Sequence, residues 1–332
     1  MSHVEIEPAV SQLHVEGTAV ASEHGTLADG GEVRGSGSIF IQMFRVFMQN
    51  KLAVGACLYI FFVVMLCIVV PQLYPQHYWA TAGADYGSSC YLPIGSVTGN
   101  PGNAAPNAAH WLGCTGGFDN VGLLAYAGRF SLMIGLLSAF VTMTVGTAYG
   151  IVAGYRGGWL DSVLMRFDDV FLSIPVLYLL LLVITIYGQG LWSLIGVIGF
   201  TSWFGVARLM RSEAQLLRNR EYAQAARSMG ATGRRVMWRH VLPNAVSTMV
   251  TAGTFALGDA VLTLSALGFL GLGLRPPDYD WGTMIQSASS GFEQGWWWTL
   301  WPVAFIFILF VLSTNYIGDA LRDSFEVRLQ ER

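Results

Sequence analysis

Long runs without charge, separated by polar or glycine-rich segments, dominate the pattern of the chain. The first run extends from Leu52 to Val70, and Pro71 follows it. A run of about 20 apolar residues has the length of a helix that crosses a bilayer. By this criterion the sequence predicts six transmembrane helices, at 52–71, 128–155, 168–187, 190–208, 244–272 and 296–317.

The third and fourth predicted helices come from one uncharged run between Asp169 and Arg208. A single helix of that length would exceed the bilayer thickness roughly twofold. The Gly188-Gln189-Gly190 sequence divides the run, and Pro175 predicts a kink in the third helix. In the second helix, small residues recur every four positions, a spacing that favours close helix packing, at Gly146, Gly150 and Gly154.

The segments between the predicted helices are polar. Residues 1–38 contain carboxylates, histidines and a Gly/Ser run without apolar periodicity, so we interpret them as a disordered cytoplasmic tail. The external loop after the first helix contains mainly Gly, Asn, Pro, Ser and aromatic residues, and we expect little regular structure there. The remaining segments are interpreted as a pre-helix segment at 39–51, external loops at 72–127 and 273–295, a cytoplasmic loop at 209–243 and a cytoplasmic tail at 318–332.

Composition agrees with an all-α polytopic membrane protein. Hydrophobic residues make up 53% of the chain and charged residues 12%, whereas soluble domains are about a quarter charged. Of the 18 basic residues, only Arg129 and Arg275 fall on the predicted external side. The positive-inside rule therefore places both termini and the arginine-rich 209–243 loop in the cytoplasm.

Several functional classes lack their required residues. Lys51 is the only lysine and stands in Asn50-Lys51-Leu52, whereas a P-loop needs a Gly-rich turn before Lys and Ser/Thr. We therefore expect no nucleotide hydrolysis, no cofactor and no nucleic-acid partner for this chain. An intramembrane enzyme would need clustered catalytic groups at membrane depth, but every histidine lies outside the predicted helices. No filter motif or gating-charge series indicates a channel.

The four cysteines fall into two pairs. Cys57 and Cys67 lie in the first predicted helix, where free cysteines behave as small apolar residues. Cys90 and Cys114 both lie in the 72–127 loop, and a disulfide between them is favoured if that side is oxidising. Two free thiols or a metal pair remain alternatives, although no further residue stands at metal-ligand spacing. We predict no metal site.

The segment from Glu221 to Asn244 carries the most informative pattern. Good helix formers extend from Glu221 to Met229, and Gly230 has the position of a helix-terminating residue with positive φ. A short helix with an apolar stripe needs a covering surface, either lipid or a cytosolic partner. The predicted stripe, at helical spacing, consists of Tyr222, Ala225, Ala226 and Met229.

These residues resemble the EAA loop of inner-membrane permease subunits in ABC importers, in Glu221-Tyr222-Ala223, Ala225-Ala226, Gly230 and Leu242-Pro243. Four further stretches are similar to the dipeptide/oligopeptide/nickel branch and its C-type subunit: 154–161, 269–273, the 276–285 stretch with Pro276-Pro277 and Trp281-Gly282, and 315–323. The sequence departs from the pattern at Gln224, where Glu is usual, at His240, where a branched aliphatic residue is usual, and at Glu326-Val327-Arg328, which replaces Asp-Pro-Arg.

The resemblance implies a permease core at 128–317 in a bacterial or archaeal-type cytoplasmic membrane. It also implies three kinds of partner: a second homologous permease, two ABC ATPase subunits or domains that use ATP and Mg, and an extracytoplasmic binding protein. The short helix would be the coupling helix, with an ATPase contact formed by Glu221, Tyr222, Ala225, Ala226, Met229 and Gly230.

The resemblance favours short peptides as the solute, while nickel complexes, haem and oligosaccharides stay open. Asp259 lies in the middle of the fifth predicted helix, where an ionisable residue is a functional hypothesis by default. It either faces the translocation path and meets a peptide's ammonium end, or is a protonated or hydrogen-bonded packing residue. Arg129, at the start of the second helix, is either an interfacial anchor or a gate or substrate contact.

Overall fold

The computed structural model describes residues 46–73, 103–108, 110–116, 118–275 and 278–330, without the side chains of 326–330. The predicted tail at 1–38, most of the 72–127 loop, Cys90 and Pro276-Pro277 therefore lie outside the described residues. The helices, in chain order, are α1 Lys51–Leu73, α2 Asn120–Arg156, α3 Gly158–Leu172, α4 Val176–Tyr187, α5 Leu191–Arg218, α6 Glu221–Ser228, α7 Gly233–Val236, α8 Leu242–Asn244, α9 Val246–Phe269, α10 Trp281–Glu293 and α11 Trp297–Gln330.

Three short elements complete the described secondary structure. Residues 46–49 form a helical turn. One turn of π-helix, Met237–Val241, joins α7 to α8. Strands β1, Cys114–Thr115, and β2, Phe118–Asp119, pair antiparallel as a minimal hairpin before α2.

Five described helices are long and apolar enough to cross a membrane: α1, α2, α5, α9 and α11. The α3–α4 pair passes the same test as one unit, but its two helices are bent by 82°. The protein is thus helical and polytopic, and it has six spans if this bent pair counts as one.

The prediction of one kinked helix at 168–187 is wrong. Pro175 precedes α4 with extended backbone, and α3 ends at Leu172, so the break is complete. Proline lacks the N–H that a continuous helix would use, and it disfavours helical geometry in the residue before it. With 12 residues, α4 is about 18 Å long, shorter than the roughly 30 Å hydrocarbon core.

Other boundaries also differ from the predictions, for local reasons. α2 begins at Asn120 because the Asp119 carboxylate accepts the N–H groups of Val121 at 2.8 Å and Gly122 at 3.1 Å. α5 and α11 continue into segments predicted as loop and tail, since their polar last turns retain good helix formers. The predicted external loop at 273–295 contains the helix α10.

The glycine spacing in α2 reflects close contact with α5, as predicted. A methyl group at Gly150 would collide with the carbonyl oxygen of Ala207, and one at Gly154 with that of Arg211. Across the same interface, the Thr142 hydroxyl donates to the carbonyl of Gly199 at 3.2 Å. Small residues thus bring two backbones together, which lets side-chain hydroxyls bridge the helices.

Candidate functional site

The helix α6 lies in the connection between α5 and α9, which we call the inner connection (residues 219–245). α6 is eight residues long and ends in a Schellman arrangement. The Ala231 N–H donates to the Ala226 carbonyl at 3.0 Å and the Gly230 N–H to the Arg227 carbonyl at 2.9 Å. Gly230 has φ +84°, which confirms the positive φ predicted for it.

One side of α6 is buried inside the chain. Ala223 and Ala226 pack against Val236, and the ring of Tyr155 and Ala231 cover the same cluster. Ala226 is only 5% exposed, so its predicted place on the partner-facing stripe is wrong in this conformation. Its angular position on the helix is next to that of Ala223, because the residues are three apart, and the pair is buried together.

Tyr155 joins this small cluster to the helix bundle. Its ring also packs against a second cluster that contains Ile151, Met210 and Val241. The Tyr155 carbonyl accepts a hydrogen bond from the Arg218 guanidinium at 2.9 Å. The end of α2 therefore supports the inner connection through both a side chain and the backbone.

Backbone carbonyls hold both ends of α6. The Gln224 amide donates to the Asn219 carbonyl at 3.0 Å. The Arg227 guanidinium donates to the Ala223 carbonyl at 3.3 Å and also reaches the carbonyl of Arg218. Because α6 is too short to be stable alone, these bonds fix its direction relative to α5.

The outer side of α6 is exposed and partly apolar. Met229 is 81% exposed and Tyr222 is 39% exposed, with Ala225 and Glu221 also exposed. The Tyr222 ring lies 6.5 Å from the imidazole of His240, measured between ring centroids. Partial burial raises the pKa of Tyr222, so its hydroxyl is uncharged near neutral pH.

The charge around α6 is strongly positive. Glu221 is the only carboxylate between Arg218 and His240, and it lies in the first turn of α6, where a negative charge favours the helix dipole. The exposed cations of this surface are Arg220, Arg227, Arg234, Arg235 and Arg239. A partner surface with acidic groups or free carbonyls would complement it.

Two arginines of α5 form ion pairs with aspartates of α3. Arg211 binds Asp161 with both guanidinium nitrogens, at 2.5 and 2.6 Å. Arg208 binds the buried Asp168 at 2.7 Å and Asp169 at 2.5 Å. These pairs were not predicted from the sequence, although the seven-residue spacing of Asp161 and Asp168 places both on one helix face.

Asp259 lies on a different surface, an open groove of about 450 Å³. Its side chain is exposed and makes no hydrogen bond or ion pair within the described part of the chain. The carboxylate is therefore accessible from the groove, and its role in translocation stays a prediction. Arg129 is exposed near the start of α2 and is not among the residues that line the groove.

Among the described residues, the cysteines and the other side chains that could bind a metal ion form no additional functional site. Cys57 and Cys67 are free thiols. Cys114 is fully buried, while Cys90 lies outside the described residues, so their disulfide stays a prediction. Among the described residues, no group of three or more His, Cys, Asp or Glu side chains stands close enough to hold a metal ion.

Residues 146–330 match the family described as "Binding-protein-dependent transport system inner membrane component", and this match includes α6 and most of the groove. The chain belongs to this family. Residues 38–93 match a second family, the N-terminal TM domain of oligopeptide transport permease C. The protein is therefore a permease subunit of the ABC importer type, and several of its helices are long and apolar enough to cross a membrane.

Individual relatives match most of the permease. The oligopeptide transport system permease protein OppC of Haemophilus influenzae is 31% identical, covering 85% of this chain and 86% of the relative. The glutathione transport system permease protein GsiD of Pectobacterium atrosepticum is 33% identical, covering 87% and 91%. The dipeptide transport system permease protein DppC of Bacillus subtilis is 31% identical, covering 86% and 85%.

A solved structure shares the fold of the permease core. It is described as inward-facing conformations of the MetNI methionine ABC transporter and aligns with a TM-score of 0.50 at 21% identity. The alignment covers 61% of this chain and 96% of that chain.

Proposed function

We propose that this permease pairs with a second, homologous permease and passes short peptides from an extracytoplasmic binding protein into the cytoplasm. Two ATPase subunits or domains supply the energy by using ATP and Mg, and α6 transmits their movement to the bundle. The observation that carries the proposal is an exposed apolar face on a helix whose opposite face is anchored to α2 and α5.

The orientation rests on the basic residues. The exposed arginines of the inner connection would lie in the cytoplasm under the positive-inside rule, together with both termini. The external side then receives the β1–β2 hairpin and α10, where a binding protein would dock. This assignment puts α6 on the side where ATP is present.

The shape of α6 suits transmission of force. Met229, Ala225 and Tyr222 are exposed, so a partner can cover them, while Ala223 and Ala226 are already buried against Tyr155. A force applied to the exposed face would therefore reach α2 through packed side chains and α5 through backbone hydrogen bonds. A helix that only rested on lipid would need no such rigid support.

The proposed solute rests on the relatives. Oligopeptides, dipeptides and glutathione appear in the names of the three relatives above, and all are short peptides. Uptake of labelled di- and tripeptides by proteoliposomes that contain the full transporter would test this. Uptake of nickel complexes, haem or oligosaccharides in place of peptides would refute it.

The coupling assignment is tested with exposed positions, since a change at Ala226 would disturb the connection itself. Ala225→Trp and Met229→Asp should each weaken ATPase association about tenfold, which corresponds to roughly 1.4 kcal/mol. Pull-down of the ATPases from detergent-solubilised membranes measures this, with uptake measured in parallel. Ser162→Trp is the matched control, because it adds the same bulk at an exposed site on α3.

The two readouts separate the alternatives. If α6 couples to the ATPases, Ala225→Trp and Met229→Asp lose both association and uptake, whereas Ser162→Trp keeps both. If α6 lies on lipid, Ala225→Trp keeps both and increases retention of the protein on anionic vesicles. Normal ATPase retention in both α6 variants would end the coupling assignment.

A further inference from the structure

The groove that contains Asp259 lies at an open face of the bundle and is lined by residues of α2, α5, α9 and α11. α9 contributes one continuous stripe, and α5 and α11 form the walls. The stripe on α9 follows helical spacing and consists of Ala252, Phe255, Ala256, Asp259 and Leu262.

Asp259 is the only charged residue that lines this groove. The other polar lining groups are the hydroxyls of Thr142 and Ser202 and the amide of Asn315. A carboxylate in a transmembrane segment is costly unless a partner compensates it. Asp259 has no such partner within the described part of the chain, so a group from outside it can bind this carboxylate.

The packing of α9 fixes the direction of this carboxylate. The neighbouring Gly258 is buried, and a methyl group there would lie 2.6 Å from the Thr314 hydroxyl. α9 therefore contacts α11 closely on that side and cannot rotate without a clash. Asp259, one residue further along, is held towards the groove.

We propose that Asp259 binds a cationic side chain of the cargo, that of lysine or arginine, during translocation. This inference rests on the proposed function. An ammonium group has three donors, so one can go to Asp259 and the others to the neutral oxygens of Ser202, Thr142 or Asn315. No arginine, lysine or histidine lines the groove to compete.

The same lining disfavours two other cargo groups. A carboxylate on the cargo would meet Asp259 as a like charge, which is repulsive. A bare transition-metal ion prefers several nitrogen or sulfur ligands, and the groove offers one carboxylate and no histidine or cysteine. An organic cation is therefore the class of cargo group that the lining of this groove fits.

The experiment uses the complete transporter in proteoliposomes, with binding protein at saturating concentration. Uptake rates of tri-lysine and tri-alanine are measured for the wild type, Asp259→Asn and Asp259→Glu. Because each rate is compared with the wild-type rate for the same peptide, selection by the binding protein cancels. Glu293→Gln is the matched control, since it neutralises an exposed carboxylate outside the groove.

We expect Asp259→Asn to lower the ratio of tri-lysine to tri-alanine uptake about tenfold, the value for the loss of one charge-assisted contact. Asp259→Glu should retain most of the ratio, and Glu293→Gln should leave it unchanged. An unchanged ratio in Asp259→Asn overturns the inference. If the uptake rates of both peptides fall equally, Asp259 is a subunit contact and the inference is overturned. The same conclusion follows if both Asp259 variants fail to assemble with the second permease.

If the proposed peptide transport itself is wrong, the experiment gives a different result. In that case the wild-type transporter moves neither peptide, and the inference falls with it. Wild-type peptide uptake with an unchanged ratio in Asp259→Asn refutes only the role of Asp259.

Discussion

The connections at the two ends of α9 both contain short helices, but they differ in whether their polar and small residues are buried or exposed. In the outer connection (residues 270–296), the Asp280 carboxylate is completely buried. It accepts the N–H of Leu274 at 2.9 Å and that of Thr283 at 3.0 Å, and it forms a capping box at the start of α10. In the inner connection, α6 lacks a side-chain cap and exposes Met229.

The glycines of the two connections differ in the same way. Methyl groups at Gly268 and Gly273 would collide with the Asp280 carboxylate, so these positions are small because the backbone wraps around a buried anion. A methyl group at Gly230 would meet nothing within 4 Å, so this glycine serves the positive φ alone. The glycines of the outer connection pack against a buried carboxylate, whereas Gly230 of the inner connection lies at an exposed surface.

Trp281 joins the outer connection to the helix bundle. It is 1% exposed, and its indole N–H donates to the Leu124 carbonyl at 3.1 Å. Its backbone N–H donates to the Ser131 hydroxyl at 2.9 Å. Burial raises the pKa of Asp280, while the surrounding N–H donors oppose that rise. We infer that the outer connection is chiefly structural and the inner one chiefly a contact surface.

The largest effect should come from removing the buried carboxylate. Asp280→Ala leaves the N–H groups of Leu274 and Thr283 without acceptors and removes a helix cap, at a cost of about 3 kcal/mol. Thermal unfolding in detergent should show a clear fall in Tm. Glu293→Ala, an exposed change in the same helix, is the control. An unaltered Tm in Asp280→Ala would break the contrast between the connections.

The next effect distinguishes the buried and exposed alanines of α6. Ala226→Trp overpacks the cluster around Tyr155, which costs about 1–3 kcal/mol, so hydrogen exchange and proteolysis within the inner connection should increase. Ala225→Trp should leave both unchanged and lower only ATPase association. Equal exchange in the two variants would mean that Ala226 is not buried in the working protein.

The sequence predicts much of this fold because the bilayer imposes strict requirements. Apolar runs such as 52–71 have few structural solutions in lipid, and α1 coincides with that run. The end of α6 was equally predictable, since the Gly230 signal depends on local chain geometry. Close packing at Gly150 followed from spacing alone.

The remaining features depend on tertiary contacts, which spacing cannot determine. Ala225 and Ala226 are chemically alike, and the packing of α6 against Val236 and Tyr155 decides which one is buried. Asp161 and Arg211 are far apart in the sequence, so their pairing required the folded structure. The helix α10 was missed because its Gly- and Ser-rich sequence has weak helix propensity, although Asp280 and Thr283 form a local cap at its start.

A smaller effect is expected at Gly230. Gly230→Val places a β-branched residue at positive φ, with a cost of about 1–2 kcal/mol, and the end of α6 should fray. Because the strain is local, Tm should change little while ATPase pull-down and uptake decrease. Gly230→Asn should recover part of both activities, since Asn tolerates this conformation. Identical results for Val and Asn would argue against a backbone cause.

The smallest effect concerns the ion pair that holds α3 against α5, just before the inner connection. Arg211→Lys keeps the charge but loses the two-nitrogen contact with Asp161, and because Arg211 is partly exposed the cost should be only about 0.5–1 kcal/mol. Hydrogen exchange should rise in α3 and stay constant in α6, whose supports are Tyr155 and Arg218. Ser212→Ala, at an exposed neighbour in α5, is the control. Faster exchange in α6 as well would show that the ion pair supports the contact surface, so the inner connection would depend on α3 in addition to α2 and α5.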